Sequence, residues 1–346
     1  MLTGVCMRSE RNLLLSAAAL ITMLLPTGAS AQPACGAPQA TLLIAGLQGT
    51  SGSTVGPGGA LYVTEGVTGS ILRVDPRTGE TTTFASGLPT RVAPIGGAID
   101  VAFIGKTAYV LVTLVGPDVG GNDIVGIYRM DSPDTFTVVA DIGQFSLDNP
   151  PETSFDVPTG VQYALQTYRG GFLVTDGHHN RVLRVTLDGA STGAVEGEVT
   201  ELIAFDNNVP TGLEVRGNTI YMAEAGPVPH LPEDGRVVSF GLKSPTVTEV
   251  AAGARLLVDV EFGRGRLLYA LSQGEFRVGD PPGAPALPNT GALVQVNADG
   301  TFTSVTDGLN QPTSVEFIRN TAYVVTLGGE IWKIEGVSCP PYGQAR

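Results

Sequence analysis

The side chains most able to do chemistry are the three histidines of the chain and three carboxylates that end strand-like segments. They are Glu65, Asp176, His178, His179, Glu224 and His230. Carboxylates and imidazoles that converge can hold a hard cation or carry out general acid–base catalysis. The metal site that this predicts has Asp176, Glu224 and His178 as ligands, with Ca²⁺ or Mg²⁺ as the cation. The alternative is that the carboxylates cap turns and the histidines are solvated, because no spacing here fixes a ligand geometry.

A second acidic set lies on segments that we place innermost in the fold. Its members are Asp100, Glu214, Asp259, Glu261 and Glu316. We expect these carboxylates to form ordinary hydrogen bonds to backbone or water. Several catalytic signatures are missing from the chain: the Gly-x-Ser-x-Gly elbow, a phosphate loop ending in Gly-Lys-Ser/Thr, His-Glu-x-x-His and Cys-x-x-Cys. Their absence disfavours phosphoryl transfer, thiol redox and zincin chemistry.

Composition narrows the class of partner. The formal net charge is −13, and the 20 basic residues are dispersed along the sequence. We therefore expect no patch that binds nucleic-acid phosphates. Hydrophobic residues make up 42% and charged residues 15% of the chain, which predicts a folded body rather than a disordered one. We expect a monomer whose partner is a small molecule, a protein or a polymer.

The first residues have the pattern of a targeting segment. Arg8 and Arg11 precede an apolar run over 13–25, and small residues then lead to Ala31. The run is shorter than the roughly 20 residues of a membrane span. We predict a signal peptide over residues 1–31, cleaved after Ala31, and a protein exported to the periplasm or the extracellular space.

The mature chain, residues 32–346, is predicted to be a single domain with two cysteines, Cys35 and Cys339. An exported protein occupies a compartment in which disulfides persist, so the two can pair. One alternative is two free thiols. Another is a lipid anchor on Cys35, although residues 32–34 match poorly the small aliphatic triplet that precedes a lipidated cysteine.

One strand-like hexamer recurs six times, at a spacing of about 47 to 64 residues that is typical of propeller blades. The copies occupy residues 60–65, 107–112, 171–176, 219–224, 267–272 and 321–326. Their flanks recur as further strand-like segments, and no convincing 3.6-residue apolar period occurs in the mature chain. We predict an all-β fold, a six-bladed β-propeller with four-stranded blades.

The two ends of the chain complete each other. The sixth unit lacks a fourth strand, whereas residues 41–47 form a strand-like segment without a blade of its own. We predict that this N-terminal strand completes the last blade, because the ring then has no unpaired sheet edge there. Cys35 and Cys339 would become neighbours, and we predict a disulfide between them.

The connections are asymmetric. Those between second and third strands, and those between blades, emerge on one face of a propeller, and here they are long. They include residues 87–97, 114–123, 141–158, 225–235 and 273–290. Loops on a rigid scaffold commonly carry recognition, so this face is the predicted binding surface. The alternative is tolerated insertion of polar, Pro-rich surface loops.

The blades resemble known repeats. Residues 172–185 (FLVTDGHHNRVLRV) resemble the NHL repeat. Residues 58–83 (GGALYVTEGVTGSILRVDPRTGETTT), together with the opening segment 41–47, are similar to the ScyD/ScyE family of secreted six-bladed propellers. The similarity extends over nearly all of residues 40–337. It implies a fold and an exported location rather than a reaction.

Metal-dependent lactonases and streptogramin-type lyases are built on similar propellers. The lactonase pattern has Asn-Gly at the start of an inner strand to supply a metal ligand, but Thr159, Thr211 and Thr313 stand at the corresponding positions here. This difference argues against a lactonase. In the lyases, histidines of neighbouring blades lie beside a Glu, which His178, His230 and Glu224 loosely parallel. The sequence favours ligand or partner binding through the long-loop face, with a metal-assisted hydrolase or lyase at the same mouth as the alternative.

Overall fold

Short strands of alternating apolar residues, separated by Gly- and Pro-containing turns, form six four-stranded antiparallel sheets in a computed structural model of the protein. The structure describes residues 36–152, 156–187, 197–242, 244–281, 283–339 and 342. The predicted signal peptide, with its cleavage site at Ala31, and Cys35 lie outside these residues. The architecture below is that of the unit that begins at Gly36.

The first strand among the described residues is β1 (Gln39–Ile44), and the blades follow in order along the chain. Blade 1 contains β2 (Thr50–Val55), β3 (Leu61–Glu65), β4 (Ser70–Val74) and β5 (Thr81–Ala85). Blade 2 contains β6 (Gly97–Ile104), β7 (Thr107–Thr113), β8 (Gly126–Ser132) and β9 (Thr135–Asp141). Blade 3 contains β10 (Gln162–Tyr168), β11 (Gly171–Asp176), β12 (Arg181–Leu187) and β13 (Gly197–Ala204).

The second half repeats this pattern. Blade 4 contains β14 (Pro210–Arg216), β15 (Thr219–Glu224), β16 (Arg236–Gly241) and β17 (Ser244–Ala252). Blade 5 contains β18 (Leu257–Phe262), β19 (Leu268–Ser272), β20 (Gly291–Val296) and β21 (Phe302–Leu309). Blade 6 contains β22 (Pro312–Ile318), β23 (Thr321–Thr326), β24 (Ile331–Glu335) and, as its outermost strand, β1. The predicted six-bladed propeller is therefore confirmed.

The first strand of each blade lies innermost, around the propeller axis. These six strands contact one another in a closed cycle, from β2 through β6, β10, β14, β18 and β22 back to β2. The connections between first and second strands and between third and fourth strands form one face, which we call the turn face. The remaining connections form the long-loop face.

The apolar core is divided between the blade interfaces, because each sheet buries both faces against its neighbours. Tyr62 packs on Phe103 of the next blade with ring centroids 4.7 Å apart, and Tyr269 packs on Phe317 at 4.8 Å. Gly263 lies against the second pair, since a Cβ there would be 2.6 Å from the Tyr269 ring. Only glycine fits beside such a contact.

The N-terminal strand closes the ring as predicted. β1 pairs with β24 in antiparallel register, from Gln39 opposite Glu335 to Ile44 opposite Ile331. Side chains also join blades 6 and 1: the Thr50 hydroxyl donates to Thr326 O at 2.6 Å. The predicted Cys35–Cys339 disulfide stays a prediction, because Cys35 lies outside the described residues.

One short α-helix accompanies the strands in the described part of the chain. α1 (Ile142–Asp148) follows β9 in the connection to blade 3. Asp141 caps it by accepting a hydrogen bond from Gln144 N at 2.7 Å. Seven residues span about two turns, too few to produce a recognisable apolar period in the sequence. No helix among the described residues is both long and apolar enough to cross a membrane.

Candidate functional site

Asp176, one of the predicted site residues, ends β11 and is completely buried. Its Oδ1 accepts hydrogen bonds from Val161 N at 3.1 Å and His179 N at 3.3 Å. Its Oδ2 lies 3.0 Å from His179 Nδ1 and 3.4 Å from Arg181 Nε. Burial raises the pKa of Asp176, but the hydrogen bonds and charges of His179 and Arg181 outweigh it and leave the pKa lowered. The carboxylate is thus ionised and occupied by protein donors.

Arg181, which the sequence analysis missed, connects this carboxylate to helix α1. The Arg181 side chain is buried, and it donates to Asn149 O and to the Ser146 hydroxyl, both at 2.9 Å. Asp176 and Arg181 face each other in the β11–β12 ladder. An acidic residue that ends a second strand, with an arginine opening the third, is the signal that could have revealed the pair.

The adjacent histidines hold the segment that enters blade 3. His178 Nε2 accepts a hydrogen bond from Val157 N at 3.3 Å, and His179 Nε2 lies 3.2 Å from Val157 O. A carbonyl oxygen can only accept, so His179 Nε2 carries a proton. Burial and the neighbouring His179 lower the pKa of His178, which favours the neutral ring that this acceptor role requires. Both histidines therefore position backbone.

Glu224 occupies in blade 4 the place that Asp176 has in blade 3. It is buried, and its Oε2 accepts a hydrogen bond from Arg236, which opens β16 opposite it. Its Oε1 is buried with no hydrogen-bond partner among the described residues. Burial raises the pKa of Glu224, and the hydrogen bond and charge of Arg236 oppose that rise. Unlike Asp176, this carboxylate has an unused oxygen.

His230 lies in the loop that follows Glu224. Its Nδ1 is 2.8 Å from Gly226 O and 3.2 Å from Ala225 O, so Nδ1 carries the proton that it donates. Burial lowers the pKa of His230, and its ring packs edge-on against Phe276 with centroids 5.1 Å apart. The ring is therefore neutral, and no described hydrogen bond engages Nε2.

Glu65 caps a turn in blade 1. Its Oε1 accepts from Gln48 N at 2.7 Å and its Oε2 from the Thr68 hydroxyl at 3.1 Å. The six predicted site residues thus occupy three different blades. The structure brings Asp176, His178 and His179 together, whereas the described contacts of Glu224 include no histidine.

The predicted metal ligands do not surround a common point in the described chain. No group of three or more His, Cys, Asp or Glu side chains there has an arrangement that could hold a metal ion. The Asp176 oxygens are already bonded to protein donors. These residues as arranged do not fit Ca²⁺ or Mg²⁺, and we derive no step through a metal.

The threonines at the start of three inner strands or their entry segments bind protein groups. The Thr211 hydroxyl lies 2.9 Å from Leu257 O in the next blade, and the Thr313 hydroxyl 2.7 Å from Ser51 O. Thr159 bonds Asp118 through its hydroxyl at 2.7 Å. They link neighbouring segments and offer no amide oxygen to a cation, in keeping with the expectation from the sequence.

The second acidic set lies on the innermost strands, as expected, and we call it the axial cluster. Asp100 and Asp259 occupy equivalent places three blades apart. In each, one oxygen accepts from the following residue, and the other accepts from the next blade, at Leu165 N (2.7 Å) and Val315 N (2.8 Å). Burial raises the pKa of Asp100 to about 8 and that of Asp259 to about 7.

The three glutamates of the axial cluster take equivalent positions in blades 4, 5 and 6. Gln166 of blade 3 donates to Glu214 at 2.7 Å, and a hydrogen bond joins Glu214 to Glu261. Burial raises the pKa of Glu214 to about 7. Burial and the neighbouring carboxylates raise the pKa values of Glu261 and Glu316 well above the usual range. The cluster therefore retains protons near neutral pH and ties the blades together.

The long-loop face has a concentration of exposed apolar side chains. Ten large hydrophobic residues of the described chain are exposed, and seven of them belong to long-loop connections. The seven are Val67, Val92, Ile124, Leu147, Val228, Leu231 and Val278. The most exposed is Val278 at 77%. These side chains belong to six connections around the ring, so the exposed apolar groups are distributed over one face of the propeller, where loops commonly carry recognition.

Hydrogen bonds order the loops that display these residues. Asp118 accepts from Thr159 N at 3.0 Å, which joins the loop after β7 to the entry of blade 3. Gln273 accepts from Ala286 N at 3.0 Å, and Arg255 forms a 3.1 Å ion pair with Glu275. The long-loop face is thus a set of anchored loops with apolar tips.

Comparison with known proteins supports the fold alone. No protein-family model matches the sequence, and no curated protein is significantly similar to it. Virginiamycin B lyase from Staphylococcus aureus is 14% identical over 86% of this chain and 98% of its own, with a TM-score of 0.51. The gluconolactonase XC5397 from Xanthomonas campestris is 12% identical over 87% and 90%, with a TM-score of 0.59. The PQQ-bound aldose sugar dehydrogenase from Streptomyces coelicolor is 14% identical over 86% and 98%, with a TM-score of 0.55.

Proposed function

We propose that this protein binds a ligand or partner with an apolar surface through its long-loop face. The observation that carries the proposal is the concentration of seven of the ten exposed large hydrophobic side chains of the described chain on that face. Exposed apolar groups gain free energy when a partner removes them from water, at about 25 cal/mol per Å². A folded chain keeps such groups together where they are used.

Anchored loops support the same proposal. A loop already held in place, such as the one that Asp118 and Thr159 join, loses little conformational freedom when a ligand binds. We further propose that the protein is exported as a monomer and belongs to the ScyD/ScyE family. The residues at 1–31 and the repeats at 58–83 and 172–185 support these two assignments. They leave the ligand's identity to experiment.

Binding of the neutral apolar dye Nile red tests the surface directly. We expect the double variant Leu231→Ser/Val278→Ser to bind the dye about tenfold more weakly, because a loss near 1.4 kcal/mol follows from two truncated apolar contacts. The matched control is Leu42→Ser/Val247→Ser, since both of those exposed side chains lie on outermost strands. Equal loss in the two variants would contradict a site on the long-loop face. A screen of exported polymers against the same pair would identify the ligand class.

A hydrolase or lyase at the Glu224–His230 loop is a second candidate. Glu224 Oε1 lacks a partner among the described residues, and no described hydrogen bond engages His230 Nε2, so each side chain keeps one atom that can bind a proton. A gluconolactonase and a virginiamycin B lyase are among the proteins with a similar fold, so small lactones are the first substrates to test. Turnover abolished by Glu224→Gln but not by Glu65→Gln would support this candidate. The assay is run with and without added Ca²⁺ to test metal assistance.

A further inference from the structure

The turn face gathers basic residues that are far apart in the sequence. The turns between the first and second strands of blades 2 to 6 carry five of them and contain no acidic residue, and the sixth is the last residue of strand β14. The six are Lys106, Arg169, Arg216, Arg264, Arg266 and Arg319. The sequence disperses these side chains, but the ring brings the turns together around one end of the axis. In a chain of net charge −13, this is a local reversal of charge.

These six side chains are not neutralised by neighbours. Among the described residues, none of them forms a salt bridge. Basic residues on nearby strands do form them: Arg129 lies 2.7 Å from Asp131 and Lys333 lies 2.8 Å from Glu335. Arg169 donates to Asn218 Oδ1 at 2.7 Å, whereas Arg264 and Arg319 have no described hydrogen-bond acceptor and can meet an anion from solution.

A cavity of about 470 Å³ opens among these turns, between blades 5 and 6. It is lined by Phe262, Gly263, Arg264, Phe317 and Arg319. Its size falls in the range of small-molecule sites, roughly 300 to 1,000 Å³, which combine apolar walls with a few polar groups. Here the two phenyl rings supply the apolar walls and the two guanidinium groups supply the polar groups.

Stacking orients two of the guanidinium groups without using their donors. Arg216 lies 4.9 Å from the centroid of the Phe262 ring, and Arg264 lies 3.4 Å from that of Tyr342. The N–H donors of a guanidinium lie in its plane, so a ring on its face leaves them available. No described acceptor bonds the side chain of Arg216, Arg264 or Arg319.

We propose that this cavity binds an organic anion, a planar apolar body that carries a carboxylate or phosphate group. The anionic group bonds Arg264 and Arg319, because a guanidinium presents a two-donor edge that matches such oxygens. The apolar body packs against Phe262 and Phe317. This site lies on the face opposite the long loops, and it does not depend on what the long-loop face binds.

Titration calorimetry at low ionic strength with 2-naphthoate tests the site, with 2-naphthyl phosphate as the second anion. Neutral 2-naphthamide tests the need for charge, and inorganic phosphate tests the need for the apolar body. We expect 1:1 binding of at least one naphthyl anion, and binding at least about tenfold weaker for the amide and for phosphate. The stronger of the two anions identifies the group that the arginines prefer.

Single substitutions of the residues that line the cavity test whether the anion binds there. Arg264→Gln and Arg319→Gln should each weaken naphthyl-anion binding about tenfold, and Phe317→Leu should weaken it less. Arg77→Gln is the control, because Arg77 is exposed on an outer turn of the same face. Unchanged melting temperatures exclude unfolding as the cause. Equal binding of the amide, no effect of either arginine variant, or binding of heparin or duplex DNA without binding of a naphthyl anion would overturn the proposal.

Discussion

The long-loop face and the turn face grow from the same strands but are held by different physics. On the long-loop face, buried charged groups fix the chain, as when Arg181 joins Asp176 to helix α1. On the turn face, the backbone conformation of short turns fixes the chain. Arg169 and Arg319 sit at φ 47° and 61° in tight turns that need no side-chain anchor.

This contrast explains what each face can display. A tight turn uses no side chain for its own structure, so its arginines remain available to solvent and to anions. A long loop has many backbone groups to satisfy, and its polar side chains are used for that purpose, as with Asp118 and Gln273. The residues left over at the loop tips are the apolar ones.

The largest expected effect concerns the closure of the ring that supports both faces. If Cys35 and Cys339 are bonded as predicted, Cys339→Ser should lower the free energy of unfolding by about 5 kcal/mol, because the loop that the bond closes is nearly the whole chain. The segment before Cys339 is held by the turn of blade 6, where the Ser338 hydroxyl donates to Asn320 at 2.6 Å. Peptide mapping without reductant, together with urea unfolding, checks this. Two free thiols would contradict the bond.

The second-largest expected effect concerns the buried ion pair that anchors the long-loop face and has no counterpart among the described residues of the turn face. Arg181→Met should lower the free energy of unfolding by about 3–5 kcal/mol, because it removes the guanidinium from a buried Asp176 carboxylate and from its contacts to Ser146 and Asn149. Arg184→Met on the same strand is the control, since Arg184 is only half-buried and forms no salt bridge among the described residues. Urea unfolding measures both. A loss below about 1 kcal/mol for Arg181→Met would mean that the ion pair does not anchor the long loops.

The sequence predicts the blades well because their information is local. A hexamer with a short continuous apolar run between polar ends, such as that at 219–224, indicates a buried strand from its own composition. The inner strands β2 and β10 were not recognised, because their segments lack a clear apolar alternation. Helix α1 gives no sequence signal because its seven residues are too few to produce a recognisable apolar period.

The candidate site was predictable only where its residues are close in sequence. Asp176, His178 and His179 come together because they lie within four consecutive residues at the end of β11. The arginines of the turn face lie at least 40 residues apart from one blade to the next, and only ring closure assembles them. A single sequence also does not reveal which carboxylates are bonded to protein groups and which, like Glu224, keep an unused oxygen.

The raised pKa values of the axial cluster predict that the free energy of unfolding depends on pH. Burial raises the pKa of Asp100 to about 8, whereas an unfolded aspartate titrates near 3.9. Between these values the native state keeps a proton that the unfolded chain has released, so the free energy of unfolding falls as the pH rises. Each such proton contributes up to about 1.4 kcal/mol per pH unit.

Urea unfolding at pH 5, 6, 7 and 8 should therefore show lower stability at pH 8 than at pH 5. Asp100→Asn should make this decline shallower, since the variant has no group to titrate at that position. Exposed Glu80→Gln should leave the slope unchanged. A stability that increases from pH 5 to pH 8 would contradict raised pKa values in the cluster.

The smallest expected effect is a difference in salt dependence between ligand binding at the turn face and ligand binding at the long-loop face. Raising the NaCl concentration from about 50 to 500 mM shortens the Debye length from roughly 14 Å to 4 Å. Naphthyl-anion binding at Arg264 and Arg319 should weaken about threefold, because charge attraction contributes to it. Nile red binding on the long-loop face should not weaken, because a neutral dye gains its affinity from apolar contact. Parallel titrations of the two probes in one salt series measure both responses. Equal weakening of both would mean that the probes share one site and that the two faces are not distinct binding surfaces.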